Sequence, residues 1–170
     1  MVGSMKPLDQ QRVRARFNAI QAAPFGAMGV RIEDDAIAEL VFLEPGLHGP
    51  TPSDALAREA CSQIAAFFKD PRHAFDLPLK PAGTDFQQRV WRAISAVPCG
   101  STRRYGDLAR ELGSAARAVG QACGANVYPL VFPCHRVVSA DGLGGFAHHA
   151  GGFHTGVKRW LLARELGSIA

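Results

Sequence analysis

The sequence predicts an α+β protein in two parts: a small amino-terminal α/β domain and a mostly helical carboxy-terminal domain with a helix-turn-helix. Three observations carry that reading. Two strand-like apolar runs, 25–32 and 36–43, lie close together near the start. A break at 77–83 holds two Pro and a Gly within seven residues. Beyond it, apolar residues recur at three-and-four spacing, and Gly113 interrupts one such pattern. The chain has 170 residues, 47% of them hydrophobic, enough for one generous domain or two small ones with a real core.

Taken in order, residues 8–22 place Val13, Phe17 and Ile20 at helical spacing, which predicts a helix there. The two strand runs are separated by an acidic turn, Glu33-Asp34-Asp35, and 44–52 is a Pro- and Gly-rich loop. Ser53 offers an N-cap for a helix through Lys69, with Leu56, Ala60, Ile64, Phe67 and Phe68 on one face. Cys61 sits on its apolar side as a packing thiol. After the break, Thr84 or Asp85 caps a helix with the stripe Phe86, Val90, Trp91 and Ile94, ending before Pro98 and Gly100. The boundary falls near residue 82, giving domains 1–82 and 83–170.

No apolar run approaches the roughly 18 residues of a membrane span. The start lacks the apolar region of a signal peptide, and a second Met at position 5 offers an alternative start. The cysteines, Cys61, Cys99, Cys123 and Cys134, show no two-residue pairing and read as free thiols in a reducing cytoplasm. Cys99 and Cys123 read as core or helix-packing thiols. Charge is uneven. Residues 1–80 carry 9 Lys+Arg against 10 Asp+Glu, whereas 81–170 carry 10 against 5, nearly all of them Arg. A basic half rich in Arg suits a polyanion, most simply nucleic acid; solubility alone is the other reading. No oligomer signature is visible, so a monomer without an obligate protein partner is expected.

Residues 102–126 read as helix, short turn, helix. Tyr105, Leu108, Ala109 and Leu112 form the inner face of the first; Gly113 ends it, and Ser114 caps a second from Ala115 to about Cys123. The second helix is small-sided, with Ala115, Ala116, Ala118, Gly120 and Ala122, and only Arg117 and Gln121 project far. Such a pair fits either a DNA-binding helix-turn-helix or a tightly packed helical hairpin. Next comes Val131-Phe132-Pro133-Cys134-His135-Arg136-Val137-Val138, an apolar strand that delivers a Cys, a His and an Arg before another strand. A thiol is only a few per cent ionised at neutral pH, and a neighbouring base or cation raises that fraction. His135 is the candidate base, and Arg136 can hold the turn by ion-pairing. A strand Cys buried beside a surface His is the alternative.

These strings carry a resemblance. PCHRV at 133–137, preceded by Gly124-Ala125-Asn126, resembles the O6-alkylguanine-DNA alkyltransferases, the methylated-DNA–protein-cysteine methyltransferases. TDFQQRVW, PCGSTRRYGDLA, ARAVGQACGAN and VKRWLLARE fit the same family in order, over roughly 84–167. The resemblance implies an RNase H-like amino-terminal domain in a supportive role. It implies that Cys134 attacks the alkyl carbon on guanine O6 (O4-alkylthymine being a second candidate) and keeps the group as a thioether, so each molecule acts once. His135 matches the base that acts through a water, Glu165 the carboxylate that orients it, and Asn126 the hinge residue bonded to the active-site strand. Arg117 matches the finger that fills the stack when the nucleotide is flipped out, and Tyr105 the tyrosine that crowds the phosphate and bonds the flipped base. Ser101, Thr102, Ala116 and Gln121 match further DNA contacts. The carbonyls of Cys134 and Val137 match acceptors for the guanine amino group.

The chain departs from the family at 145–154, where several residues are added. Phe146 stands for the usual Tyr, so it covers the base without a phenol hydroxyl, and Ala147 falls where a backbone amide donates to O6. His148, His149 and His154 lie on this loop, but no carboxylate or Cys nearby completes a ligand set, so neither metal nor cofactor is expected. Three rivals come from other classes. A lesion-binding relative without transfer lacks the nucleophile that Cys134 supplies. A transcriptional regulator needs more reading side chains than the second helix has. A Cys-His hydrolase would turn over. The expected partner is double-stranded DNA carrying O6-alkylguanine, with no membrane.

Overall fold

Pro7 opens helix α1 (Pro7–Arg16), where a missing N–H costs nothing in the first turn. The computed structural model describes residues 6–167, so the alternative start at Met5 lies outside them. The helix does not continue to residue 22. Asn18 donates its N–H to Val30 O at 2.8 Å and accepts from Ile32 N at 2.8 Å, and strand β1 (Ala19–Ala23) begins there. Val13, Phe17 and Ile20 still converge on one cluster with Ala27, Leu43 and Leu47, but from a helix, its C-cap and a strand. Three apolar residues at such spacing do not by themselves separate those cases.

Strands β2 (Gly26–Glu33) and β3 (Ala36–Leu43) complete an antiparallel sheet in the order β1-β2-β3. The acidic turn holds as a two-residue loop in which Asp34 and Asp35 take φ of 52° and 56°, positions that Asp tolerates better than most residues. Lys80 Nζ neutralises it, at 2.7 Å from Glu33 and 2.8 Å from Asp34. Gly29 lets the sheet accept Phe17, because a Cβ there would stand 2.7 Å from the ring. Helix α2 (Ala55–Lys69) packs on β1 and β2. Its cap is Asp54, whose carboxylate accepts from Ala57 N at 2.7 Å, not Ser53. Ala60, Cys61, Ile64 and Phe67 face inward, and burial pushes the Cys61 thiol up.

The chain divides into two units, Met1–Lys80 and Pro81–Ala170. In the second, Thr84 and Gln87 form a reciprocal capping box at the start of α3 (Asp85–Ser95). Val90, Trp91 and Ile94 are buried, and Trp91 donates to Ala122 O at 2.8 Å while stacking on Phe132. Strand β4 (Arg103–Arg104) leads directly into α4 (Tyr105–Leu112). Gly113, in the left-handed region at φ 64°, ends α4, and Ser114 N closes back on Ala109 O. Ser114 therefore belongs to the end of α4. Helix α5 (Ala116–Gly124) starts one residue later from Ala115, without a side-chain cap.

The expected strand before Cys134 is absent. Pro129 and Pro133 lack donors, Leu130 takes φ 73°, and the Asn126 side chain replaces a ladder. It donates to Phe132 O at 2.8 Å and accepts from Tyr128 N at 2.9 Å. A 3₁₀ turn, Cys134–Arg136, follows, then strand β5 (Val137–Val138), parallel to β4. Helix α6 (Phe153–Glu165) packs against that turn. Among the described residues, no helix is long and apolar enough to cross a membrane.

Candidate active site

The 3₁₀ turn puts three consecutive functional side chains in the interior: Cys134 is 4% exposed, His135 1% and Arg136 9%. Asn126 Nδ2 lies 3.1 Å from Cys134 Sγ and donates to it. One amide thus ties the end of α5, the loop and the sulfur together.

Buried charge needs partners, and Glu165, from the last turn of α6, supplies the counter-charge. Its side chain is 1% exposed. His135 Nε2 lies 2.6 Å from Oε1, and Arg136 reaches Glu165 with Nε at 3.1 and 3.0 Å and Nη2 at 2.9 Å. Arg136 Nη1 also donates to Val97 O at 2.8 Å. Burial pushes the Glu165 carboxyl up, but the hydrogen bonds and charges of His135 and Arg136 outweigh it and hold it at about 2. A carboxylate can only accept, so His135 donates from Nε2 and its basic nitrogen is Nδ1. Burial lowers the His135 pKa; Glu165 opposes that, and Arg136 and Lys158 add to it.

A cavity of about 660 Å³ opens above the sulfur. Helix α5 lines it with Ala116, Gly120, Cys123 and Gly124, one stripe at helical spacing whose small side chains leave the room. Tyr105 from α4 forms another wall. The 145–150 loop roofs it, with Phe146 buried and Ala147 in the left-handed region at φ 50°. Phe146 and His149 exchange backbone hydrogen bonds of 2.8 Å, so the roof is a tight turn with Ala147 and His148 at its tip. Arg104 and Arg110 stand at the rim, the latter bonded to Asp107.

Cys134, Tyr105, Ala116, Phe146 and Ala147 meet in this cavity; His135, Glu165 and Asn126 lie behind it. Val137 is not in the wall, and its carbonyl accepts from Lys158 Nζ at 2.6 Å. Arg117 and Gln121 share an exposed face of α5, four residues apart, while Ser101 and Thr102 are exposed before β4. No group of three or more His, Cys, Asp or Glu among the described residues is placed to hold a metal.

Residues 85–167 match the family model of the 6-O-methylguanine DNA methyltransferase DNA-binding domain. The chain is 38% identical over 149 residues to the methylated-DNA–protein-cysteine methyltransferase of Mycolicibacterium paratuberculosis, spanning 84% of this chain and 88% of that one. The chain belongs to the methylated-DNA–protein-cysteine methyltransferase family. It is also 42% identical over 137 residues to the regulatory protein ada of Salmonella typhimurium, across 78% of this chain but only 37% of that longer protein. Mycobacterium tuberculosis OGT, solved in complex with DNA, superposes with a TM-score of 0.73 at 36% identity, covering 88% of this chain and 92% of the other.

Two residues of this methyltransferase-family site escaped the sequence reading. Lys158 is wholly buried, with Nζ donating to Val137 O at 2.6 Å and Gly145 O at 3.0 Å and lying 3.4 Å from the Tyr105 hydroxyl. Burial lowers its pKa to about 8 although the Cys123 and Cys134 thiols pull the other way. Lys158 shares a helical face with Leu161 and Glu165, a spacing the sequence displays. Cys123, read as a packing thiol, lines the cavity; its interaction with Cys134 first, then burial, pushes its thiol up. Tyr105 donates to Gly145 O at 3.1 Å, and burial raises its phenol out of the titrating range.

Proposed function

We propose that this chain repairs DNA by taking the alkyl group of O6-alkylguanine onto Cys134, once per molecule. One observation carries the reading: a thiol on the floor of a cavity, next in sequence to a buried imidazole that a carboxylate orients. His135 Nδ1 takes the Cys134 proton through a water, and the resulting imidazolium is stabilised by Glu165, the logic of a hydrolase triad. The sulfur then attacks the alkyl carbon in line; the C–O bond breaks, and guanine leaves with the electron pair. No water readily hydrolyses the thioether, so the protein is consumed. Arg136 keeps the carboxylate ionised, and Asn126 fixes the sulfur.

The target carbon is out of reach inside a duplex, so the nucleotide must be flipped out at a few kcal/mol. The two helices joined at Gly113 serve as a helix-turn-helix. The small-sided stripe of α5 admits the base, and Arg117 on the neighbouring exposed face fills the vacated stack. Tyr105 crowds the phosphate and turns it outward. Ser101, Thr102, Ala116 and Gln121 contact the backbone, the amino-terminal unit supports this one, and four free cysteines support a cytoplasmic setting. A lesion-binding role without transfer is not favoured.

Intact-protein mass spectrometry after incubation with excess O6-methylguanine duplex tests the proposal. The expected gain is one CH2, about 14 Da, on Cys134 and no more than one per chain. No gain despite tight binding would overturn it. Arg117→Ala should slow duplex repair about tenfold to hundredfold, yet change reaction with free O6-benzylguanine by less than about twofold, because only flipping needs the finger. Equal slowing of both would place Arg117 in the fold instead. Duplex affinity should fall steeply as salt rises from ~50 to ~200 mM, as arginine–phosphate contacts release counterions.

A further inference from the structure

Alkyl transfer uses one thiol of the cavity, but the cavity holds two. We propose that Cys123 and Cys134 form a dithiol that hydroperoxides oxidise to a reversible disulfide. Both side chains line the same cavity, Cys123 from the last turns of α5 and Cys134 from the 3₁₀ turn. Lys158 Nζ, wholly buried, is held by the carbonyls of Val137 and Gly145, the second of them in the cavity wall. Asn126 Nδ2 donates to Cys134 Sγ at 3.1 Å and fixes its place in the cavity. A cysteine sulfur that opens on a cavity beside a cation is what peroxides attack, and a second thiol in the same cavity is what diverts the product from irreversible oxidation. Cys61 sits among the buried residues of α2, where burial pushes its thiol up.

The chemistry balances in two steps. The Cys134 thiolate attacks one peroxide oxygen; the O–O bond breaks, sulfenic acid forms, and the other oxygen leaves as hydroxide, which takes up a proton to become water. Cys123 sulfur then attacks the Cys134 sulfur; the S–S bond forms, the S–O bond breaks, and a second water leaves with the Cys123 proton. The two sulfurs are oxidised and the peroxide is reduced to two waters. For a protein whose nucleophile works once, the bond would store an unused thiol through oxidative stress, and dithiol reductants would return it. The loss of activity while the bond exists rests on the alkyl-transfer reading; the bond itself does not.

The test treats the full-length protein with hydrogen peroxide, blocks remaining thiols with N-ethylmaleimide and digests it with chymotrypsin. Cleavage after Leu130 separates the two cysteines, so a disulfide keeps the halves together until dithiothreitol is added. Linked halves, with transfer activity recovered after reduction, are the expected result. Cys123→Ser should recover a much smaller fraction of its own untreated activity and accumulate sulfinic or sulfonic acid on Cys134. Sulfinic Cys134 without linked halves in the wild type, or linkage to Cys61 or Cys99 instead, would overturn the proposal. Linked halves in a protein that transfers no alkyl group before oxidation would keep the dithiol and remove the repair function.

Discussion

Cys134→Ala should abolish alkyl transfer and leave duplex binding in place: no mass gain is expected on the protein at any time, while a gel-shift titration should return an affinity close to that of the parent. The side chain is 4% exposed at the base of the cavity, and none of the outward-facing residues of α5 depends on it. Its side chain accepts from Asn126 Nδ2, an ordinary hydrogen bond whose loss costs about 1 kcal/mol. Cys134→Ser sharpens the experiment. A hydroxyl keeps the size and the Asn126 contact, but it is not ionised near neutral pH and is a far poorer nucleophile. If both variants bind and neither gains mass, the reaction needs the sulfur and not the shape of the side chain. Transfer in either variant, or a methyl group mapped to Cys123 in the parent, would remove Cys134 from its role.

The parts of the molecule that sequence reveals are those set by neighbours along the chain. The hairpin around Asp34 and Asp35 is legible because two acidic residues between apolar runs suit a positive-φ turn, and Thr84 is legible because Gln87 stands three residues on. The roles proposed for Cys134, His135 and Glu165 rest on family resemblance to contiguous strings, and the structure brings His135 and Glu165 within 2.6 Å of each other. What failed was set by competition for backbone groups. Asn126 draws residues 128–132 out of a ladder, so an apolar run that reads as a strand folds as a loop. Ser114 closes α4 and is no longer available to cap α5. Lys158 and Cys123 were missed for a third reason: their significance arises only when α6 and α5 pack around one turn. A lysine in register with Leu161 and Glu165 was the available signal, since a cation on an apolar stripe must be either misplaced or partnered.

Glu165→Gln separates what the carboxylate does for the fold from what it does for the reaction. An amide cannot neutralise Arg136, whose side chain is only 10% exposed, and breaking a buried pair from one side costs about 3–5 kcal/mol. A urea midpoint reads that loss. Its pH dependence has a definite sign: the folded carboxyl is held at about 2, below its ordinary 4.5, so its contribution is full above the unfolded value and disappears as pH falls through the folded one. The gap in stability between parent and variant should therefore close between about pH 4.5 and 2. The rate of transfer should fall about a hundredfold to ten-thousandfold, because the imidazolium formed as Cys134 ionises loses its counter-charge and its orientation. Burial already holds His135 below its ordinary value and Glu165 works against burial, so removing the carboxylate moves the acid limb of the rate profile to lower pH. Adding Arg136→Met removes the stranded cation. If the double variant regains stability while transfer stays slow, the carboxylate acts on the reaction through His135; if the rate returns with the fold, Glu165 is only a brace.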